Sequence, residues 1–254
     1  MKISIITIVY NNQDHINSCI QSILSQVYRN IEYIVIDGNS SDGTVKKIMQ
    51  YENQINIFHS APDKGLYDAL NKGIKIATGD VIGILHSDDV FNDELVIEDV
   101  VKEFKSSNAD LLYGRGLYVE PTNIEKVKRV YDSSTYKRHY LYFGWIPLHT
   151  TIFVKKHIFE QFGTYNLNYS IASDYDISLR WFLNRDIKKH YFNRTIVRMR
   201  LGGKSTTAKL QKIKSKEDLE IINNYKLLGI LTLFCKITRK IPQYIWPTFR
   251  KNWL

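Results

Sequence analysis

The chain has 254 residues, 44% of them hydrophobic and 24% charged, with a formal net charge of +9. That composition excludes a disordered or fibrous chain and allows one large domain, or one domain with an appendage. Its two cysteines, Cys19 and Cys235, lie far apart, which excludes a disulfide framework or a cysteine-based metal centre and fits a reducing compartment.

The charge is unevenly spread. Residues 1–120 hold 10 Lys/Arg against 17 Asp/Glu, a net −7, whereas residues 121–254 hold 25 against 9, a net +16. The first half suits a domain with acidic ligand groups. The second half faces something anionic: nucleic acid, phospholipid or a phosphorylated substrate. Met1 to Ser4 run straight into a strand pattern without the apolar stretch of a signal peptide. No apolar run reaches the roughly 18–20 residues of a membrane span. These features lead us to expect a cytosolic protein, with attachment to a membrane surface left open.

In chain order, the apolar, β-branched run from Lys2 to Tyr10 predicts a first strand, closed by the turn signal Asn11-Asn12. Ile16, Cys19, Ile20, Ile23 and Leu24 stand at helical spacing within 14–26. Tyr33 to Ile36 is a second strand ending at Asp37-Gly38, and Ser41-Asp42-Gly43-Thr44 starts a helix to about Tyr51. Ile55 to Phe58 is a third strand, followed by a helix from Leu66 to Ile76. Val81 to Leu85 is a fourth strand, followed by a helix over 92–105 and a fifth strand at Leu111-Leu112-Tyr113. The βα alternation predicts a doubly wound, mostly parallel α/β sheet with helices on both faces. Its ligand-facing loops are then Tyr10–Asn12, Asp37–Asp42, Ser60–Lys64 and His86–Asp89. Beyond this, 121–140 reads as a polar excursion over the surface, Ile152–Val154 as a strand and Ile171–Leu183 as a helix. The segment 186–204 reads as strand-like and is followed by a loop from Arg200 to Ser205.

The fourth strand ends in Ser87-Asp88-Asp89. Adjacent carboxylates at that edge repel each other unless a cation joins them, and Mg2+ characteristically takes one or two carboxylates plus substrate phosphates. The alternative is a helix-capping role, with Asp93 and Glu94 opening the next helix.

Several motifs occur together and in order: Thr7-Ile8-Val9-Tyr10-Asn11-Asn12, Asp37 to Thr44, Asp63 to Gly73, Ala77-Thr78-Gly79-Asp80, Ser87-Asp88-Asp89, His149, and Ser173-Asp174-Tyr175-Asp176 with Arg180. Over about residues 2–205 this set resembles family 2 glycosyltransferases with the GT-A fold, in particular the non-processive bacterial enzymes of surface-polysaccharide and O-antigen assembly. The resemblance implies a catalytic domain over 1–205, with a nucleotide-sugar half (1–115) and an acceptor half (116–205), followed by a basic helical extension over 206–254.

It implies that Asp37 binds the uracil or ribose of a UDP-sugar, with Thr7, Val9 and Tyr10 lining the same slot. Asp63 and Lys64 would lie near the donor, Asp88 would touch ribose or a metal-bound water, and Asp89 would hold Mn2+ or Mg2+. Asp174 would be the catalytic base of an inverting transfer. The family has an acidic pair at that place, whereas here its first member is Ser173, so Asp176 competes for the role. His149 is a site-lining candidate by the same match. Arg180-Trp181 is similar to part of the processive-synthase signature, but Ile177 stands where Gln is needed.

Gly202-Gly203-Lys204-Ser205 suggests a P-loop, yet Arg198 occupies the position of its first glycine. We expect instead a loop closing over the diphosphate, with Arg200 or Lys204 adding charge.

From residue 187 onward there are 16 Lys/Arg against 3 Asp/Glu, interleaved with aliphatic and aromatic residues from Leu227 to Trp253. This composition suits interfacial helices on an anionic bilayer, jointed by Pro242 and Pro247. A helix packing on the catalytic domain is the alternative.

The reading is thus a transferase moving one sugar from a UDP-sugar to a hydroxyl of a lipid-linked saccharide at the inner face of the cell membrane, with no nucleic-acid partner. One rival, a nucleotidyltransferase, needs a Gly/Arg-rich phosphate loop after the first strand, and Thr7–Asn12 contains neither residue. The other, a basic nucleic-acid-binding protein, leaves the acidic loops unexplained.

Overall fold

A computed structural model of the chain describes residues 1–202 and 208–249, with the side chains of 208, 209 and 246–249 left out of the description. Its centre is the parallel set β1 (Ile3–Val9), β2 (Ile31–Asp37), β3 (Ile57–Ser60) and β4 (Val81–Ile84), in the order β3-β2-β1-β4. All seven residues of β1 are buried, as expected for a central strand covered on both faces. Ile3, Ile5 and Val9 face α1 (Ile16–Leu24) and, further along the sheet, α4 (Val96–Ser107). Ile6 and Ile8 face the opposite core, built on α3 (Leu66–Ile76), α5 (Lys156–Phe162) and α6 (Ser173–Leu183). Gly73 lets α3 lie close on β1: a Cβ there would meet Ile6 Cγ2 at 2.6 Å.

The remaining strands make the sheet mixed. Between β2 and β3 the chain adds α2 (Thr44–Ile48), and after β4 it adds the short β5 (Val90–Phe91). Then come β6 (Leu111–Glu120), β7 (Asn123–Tyr131), β8 (Phe153–Lys155) and β9 (Lys189–Arg200). β8 is antiparallel to both β4 and β6, β9 is parallel to β6, and β5 is antiparallel to β9. The α/β fold is therefore as expected, but antiparallel pairs are as prominent as parallel ones.

Two segments differ from the sequence reading. The fifth strand runs on to Glu120 and turns into β7, so 121–140 is largely a hairpin. Among the described residues β7 pairs only with β6, and its outward Lys126 and Lys128 meet Glu120 at 3.0 and 3.4 Å, so a charged edge strand reads as a loop. Arg200, expected in a loop, is the last residue of β9.

The C-terminal part forms α7 (Ala208–Asn224), α8 (Ile230–Thr238) and α9 (Lys240–Phe249). The joint falls at Arg239, and Pro242 lies in the first turn of α9, where its missing N–H costs no helical bond. α7 contributes Ile221 and Ile222 to the core, whereas Ile230, Phe234 and Ile241 are 74%, 61% and 62% exposed.

One buried carboxylate ties the amino-terminal edge of the sheet. Glu32 accepts hydrogen bonds from Lys2 Nζ at 2.6 Å, Ser4 Oγ at 2.5 Å, Thr78 N at 2.7 Å and the Thr78 hydroxyl. Burial alone would raise its pKa, but these donors win and hold it at about 2. A depressed carboxylate stabilises the fold above its ordinary pKa, and that contribution is lost as pH falls from about 4.5 towards about 2. Glu32→Gln is expected to cost about 2–3 kcal/mol at pH 7. Urea unfolding at pH 7 and pH 3 checks this: the cost must shrink at the lower pH, and an equal cost at both would contradict the assignment.

Candidate active site

The parallel order β3-β2-β1-β4 brings four carboxyl-terminal loops to one rim, the usual ligand edge of an open α/β sheet. Val9, Asp37 and Ser60 are in register across it. The loops are stitched together. Asn12 Nδ2 donates to Ser87 Oγ at 2.8 Å, Asn11 N to Ser40 Oγ at 2.8 Å, and Asn12 N to Thr44 Oγ1 at 2.9 Å.

Asp37 is fully buried. Its Oδ2 accepts from Ser60 Oγ at 2.6 Å and Ser40 N at 3.0 Å, while Oδ1 has no partner. One oxygen is thus fixed and the other is left for a ligand donor. A Cβ on Gly38 would meet Asp63 Oδ2 at 2.6 Å and the Tyr10 ring at 3.3 Å, so Asp63 and Tyr10 close in on this glycine. Tyr10 is 50% exposed, as a base-stacking ring needs. Asp63 Oδ1 accepts from Gly65 N at 2.8 Å, and Lys64 is exposed beside it.

Thr7, expected to line the slot, is instead fully buried beneath α1, where it accepts from the Tyr33 hydroxyl and touches Cys19. Val9 packs into the same core. Both point to the face that α1 covers, so they support the rim from below.

At the end of β4, Asp88 is half-buried and Asp89 almost wholly buried, with Asp89 Oδ2 lacking any partner. Burial first, and Asp88 second, push the Asp89 carboxyl well above its ordinary range, which Arg200 only partly offsets. An unpartnered buried carboxylate oxygen beside a second carboxylate suits a hard divalent cation. Among the described residues no group of three or more His, Cys, Asp or Glu could hold one, so water and phosphate oxygens would complete its shell. Arg200 is clamped here: its guanidinium donates to the Asp88 carbonyl, to Ser18 Oγ at 3.1 Å and to Pro121 O at 3.2 Å. Its contribution is to fix the acidic loop in place. Lys204 lies outside the described residues.

Asp174 stands in the first turn of α6 but does not cap it. Glu217 of α7 instead anchors the loop that leads into the helix, accepting from the backbone N–H groups of Ser170, Ile171 and Ala172, each at 2.9 Å. Asp174 is therefore free to face the rim. Its Oδ1 lies 3.2 Å from the Tyr67 hydroxyl and its Oδ2 lies 3.4 Å from His149 Nδ1. Burial raises its pKa most, yet Lys214, His149, Lys236 and the Tyr67 hydroxyl together hold it at about 2.

His149 Nε2 is 3.0 Å from His86 Nε2, and burial pushes His149 down to about 4, so the ring is neutral. The tautomers that satisfy all three groups have His86 Nε2–H donating to His149, leaving His149 Nδ1–H for Asp174. This chain connects the residue before Ser87-Asp88-Asp89 to Asp174.

Asp176 is differently engaged. Arg180 Nη2 lies 2.5 Å from its Oδ2, and the Tyr225 hydroxyl donates to its Oδ1 at 3.1 Å. Two residues on along a helix is about 200° around it, so Asp176 faces away from His149.

Sequence reasoning missed His86, Tyr67, Lys214, Lys236 and Arg129. His86 carried a signal, its place directly before the acidic pair at a strand end. Tyr67 sits within a motif segment. Lys214 and Lys236 approach Asp174 only through the fold, and Arg129 joins them by way of Lys240.

A mixed α/β sheet with a buried carboxylate at the end of β2 and an acidic pair at the end of β4 is the architecture of a GT-A-type fold. The family profile "Glycosyl transferase family 2" matches residues 4–163. An uncharacterised glycosyltransferase of Mycobacterium tuberculosis is 32% identical over 180 residues, covering 70% of this chain and 68% of the relative. A PGL/p-HBAD biosynthesis glycosyltransferase of Mycobacterium bovis is 28% identical over 234 residues, covering 90% and 86%. Among solved structures, S. aureus TarS 1–349 in complex with UDP-GlcNAc superposes with a TM-score of 0.68 at 15% identity, covering 99% of this chain and 74% of that one. The mannosyltransferase PcManGT of Pyrobaculum calidifontis, in complex with GDP-Man and Mn2+, gives 0.66 at 13% identity, covering 96% and 73%. The chain belongs to glycosyltransferase family 2 and has the GT-A fold.

Proposed function

We propose that the protein transfers a single sugar from a UDP-sugar to a hydroxyl of a lipid-linked saccharide, with inversion, in bacterial surface-polysaccharide synthesis. The observation that carries this is the presence on one rim of Asp37, with one free buried oxygen, and of Asp89, whose Oδ2 is unpartnered, with the His86–His149 pair linking that rim to Asp174. UDP and UDP-GlcNAc complexes of TarS support a UDP-sugar donor.

In this reading residues 1–115 bind the donor, 116–205 shape the acceptor side, and 206–254 form a basic extension. Asp37 takes the uracil or ribose, Tyr10 stacks on the base, and Asp63 and Lys64 lie near the donor, with Lys64 facing phosphate or sugar. Asp88 touches ribose or a metal-bound water, and Asp89 holds Mn2+ or Mg2+. The ion, when bound, neutralises charge on the departing diphosphate. Asp174 takes the proton from the acceptor hydroxyl as that oxygen bonds the anomeric carbon and the bond from that carbon to the UDP oxygen breaks. One base opposite the leaving group inverts the centre, so a UDP-α-sugar gives a β-linkage. Asp176, held by Arg180, is the less suited base.

The acceptor's lipid explains the surface of α8 and α9. Ile230, Phe234, Ile237, Ile241, Tyr244 and Ile245 are at least half exposed, in a segment rich in Lys and Arg. Basic and apolar residues side by side suit an anionic membrane surface. Among the described residues no helix is long and apolar enough to cross a membrane, so contact would be peripheral.

The test is turnover of a panel of UDP-sugars with lipid-linked saccharides in phosphatidylglycerol vesicles. We expect vesicle-associated enzyme, UDP release and a β-linked product. An α-linked product would overturn the mechanism, and turnover only with free, lipid-less sugars would overturn the acceptor.

A further inference from the structure

The C-terminal helices bring a group of cations to Asp174. Lys214 and Asp218 stand one turn apart on α7 and share a face. Asp218 lies 2.6 Å from Lys236 Nζ of α8, and that ammonium sits 3.4 Å from the centre of the Tyr175 ring, beside Asp174 in sequence. Lys240 opens α9 one turn before Gln243, whose Oε1 accepts from Arg129 Nε of β7 at 2.8 Å. Arg129 also lies over the rings of Tyr118, Tyr131 and Tyr244, at 4.6, 5.5 and 5.2 Å. Lys214, Lys236 and Lys240 all feel Asp174, and Lys240 feels both Lys214 and Arg129.

These cations outnumber the carboxylates that face them. Asp174 and Asp218 are the main ones, and Glu217 is spent on the backbone of 170–172 ahead of α6. Lys236 is taken by Asp218, and Arg129 by Gln243 and the rings. Among the described residues neither Lys214 nor Lys240 lies within ion-pair distance of a carboxylate, and both are half-buried. Burial first, then Lys214 and Arg129, lower the Lys240 pKa, whereas Asp174 raises that of Lys214. The donor side is separate: the charges acting on Asp89 are Asp88 and Arg200.

We propose that Lys214 and Lys240, backed by Arg129, form a subsite for a phosphate group carried by the acceptor close to its accepting hydroxyl. This rests on the transferase reading above and specifies the acceptor chemistry: a phosphorylated or diphosphate-linked saccharide with its anion beside Asp174. Two ammonium groups offer a phosphate several charge-assisted hydrogen bonds. The same anion offsets the cations around Asp174 and so strengthens it as a base.

Inorganic phosphate is the probe. It is titrated by calorimetry into protein saturated with UDP and Mg2+, so that donor phosphate sites are filled, and into the Lys214→Met/Lys240→Met variant treated alike. We expect phosphate binding by the wild type, about tenfold weaker binding by the variant, and equal UDP affinity in both. The Lys214→Arg/Lys240→Arg variant should retain phosphate binding, which separates lost charge from lost folding. Absence of phosphate binding by the UDP-saturated wild type, or undiminished binding by the Met variant, would overturn the subsite. Weakened UDP binding by the Met variant would overturn it too, because the lysines would then serve the donor diphosphate. If the wild type binds no UDP, the donor reading fails, and the same titrations on nucleotide-free protein still decide the subsite.

Discussion

Asp174→Asn is expected to lower the transfer rate by about 10²–10⁴-fold, the usual contribution of a positioned general base, while leaving UDP affinity unchanged. The asparagine keeps the shape and can still accept from Tyr67, which lies 3.2 Å away. What it loses is the capacity to take a proton. Asp176→Asn provides the contrast. It removes the charge that pairs with Arg180 and leaves one acceptor oxygen where Arg180 and Tyr225 now use two, so its effect should fall on thermal stability, with the rate little changed in the fraction that remains folded. Steady-state rates beside calorimetric UDP affinities for both variants decide the matter. Full activity in Asp174→Asn would remove the base assignment. His149→Ala should act through Asp174, lowering kcat more than it changes KM for the donor, because His149 Nδ1 lies 3.4 Å from the carboxylate.

Asp89→Asn is expected to move stability and function in opposite directions. In the free protein the Asp89 carboxylate is buried, lacks a partner for Oδ2 and sits beside Asp88, so its charge destabilises the fold. Replacing it with a neutral isostere should leave the melting temperature unchanged or higher. The same change removes the anionic oxygen assigned to the divalent ion. Loss of outer-shell partners alone costs about 10–100-fold in metal affinity, so losing the ligand itself should cost at least that much of the metal-dependent part of UDP binding. Thermal denaturation and UDP titrations with and without Mn2+ test the two halves together. A variant that melts lower and still binds UDP in a metal-dependent way would contradict both.

The parts of the fold legible in the sequence are those with strong local signals. β1, β2 and β4 are buried β-branched runs ended by turn residues, and the acidic groups at their ends fall where the topology rule puts a ligand. β8 and β9 were legible in outline, as the strand at Ile152–Val154 and the strand-like segment 186–204, whereas β7 was not, because it carries charge along an exposed edge. Thr7 and Val9 share one face by strand alternation, but sequence alone did not show that α1 covers that face. The environment of Asp174 was the least legible part. His86 meets His149 across 63 residues, and Lys214 arrives from α7. Such contacts arise from tertiary packing and leave no periodic trace in the sequence.

The central claim is a metal-assisted UDP-sugar site on this rim. Calorimetric titration with UDP, GDP, ADP and CDP, each in Mn2+ and in EDTA, tests it most directly. The account predicts binding that is selective for UDP and weakened by EDTA. A folded protein that binds none of the four, or all four alike, would contradict it.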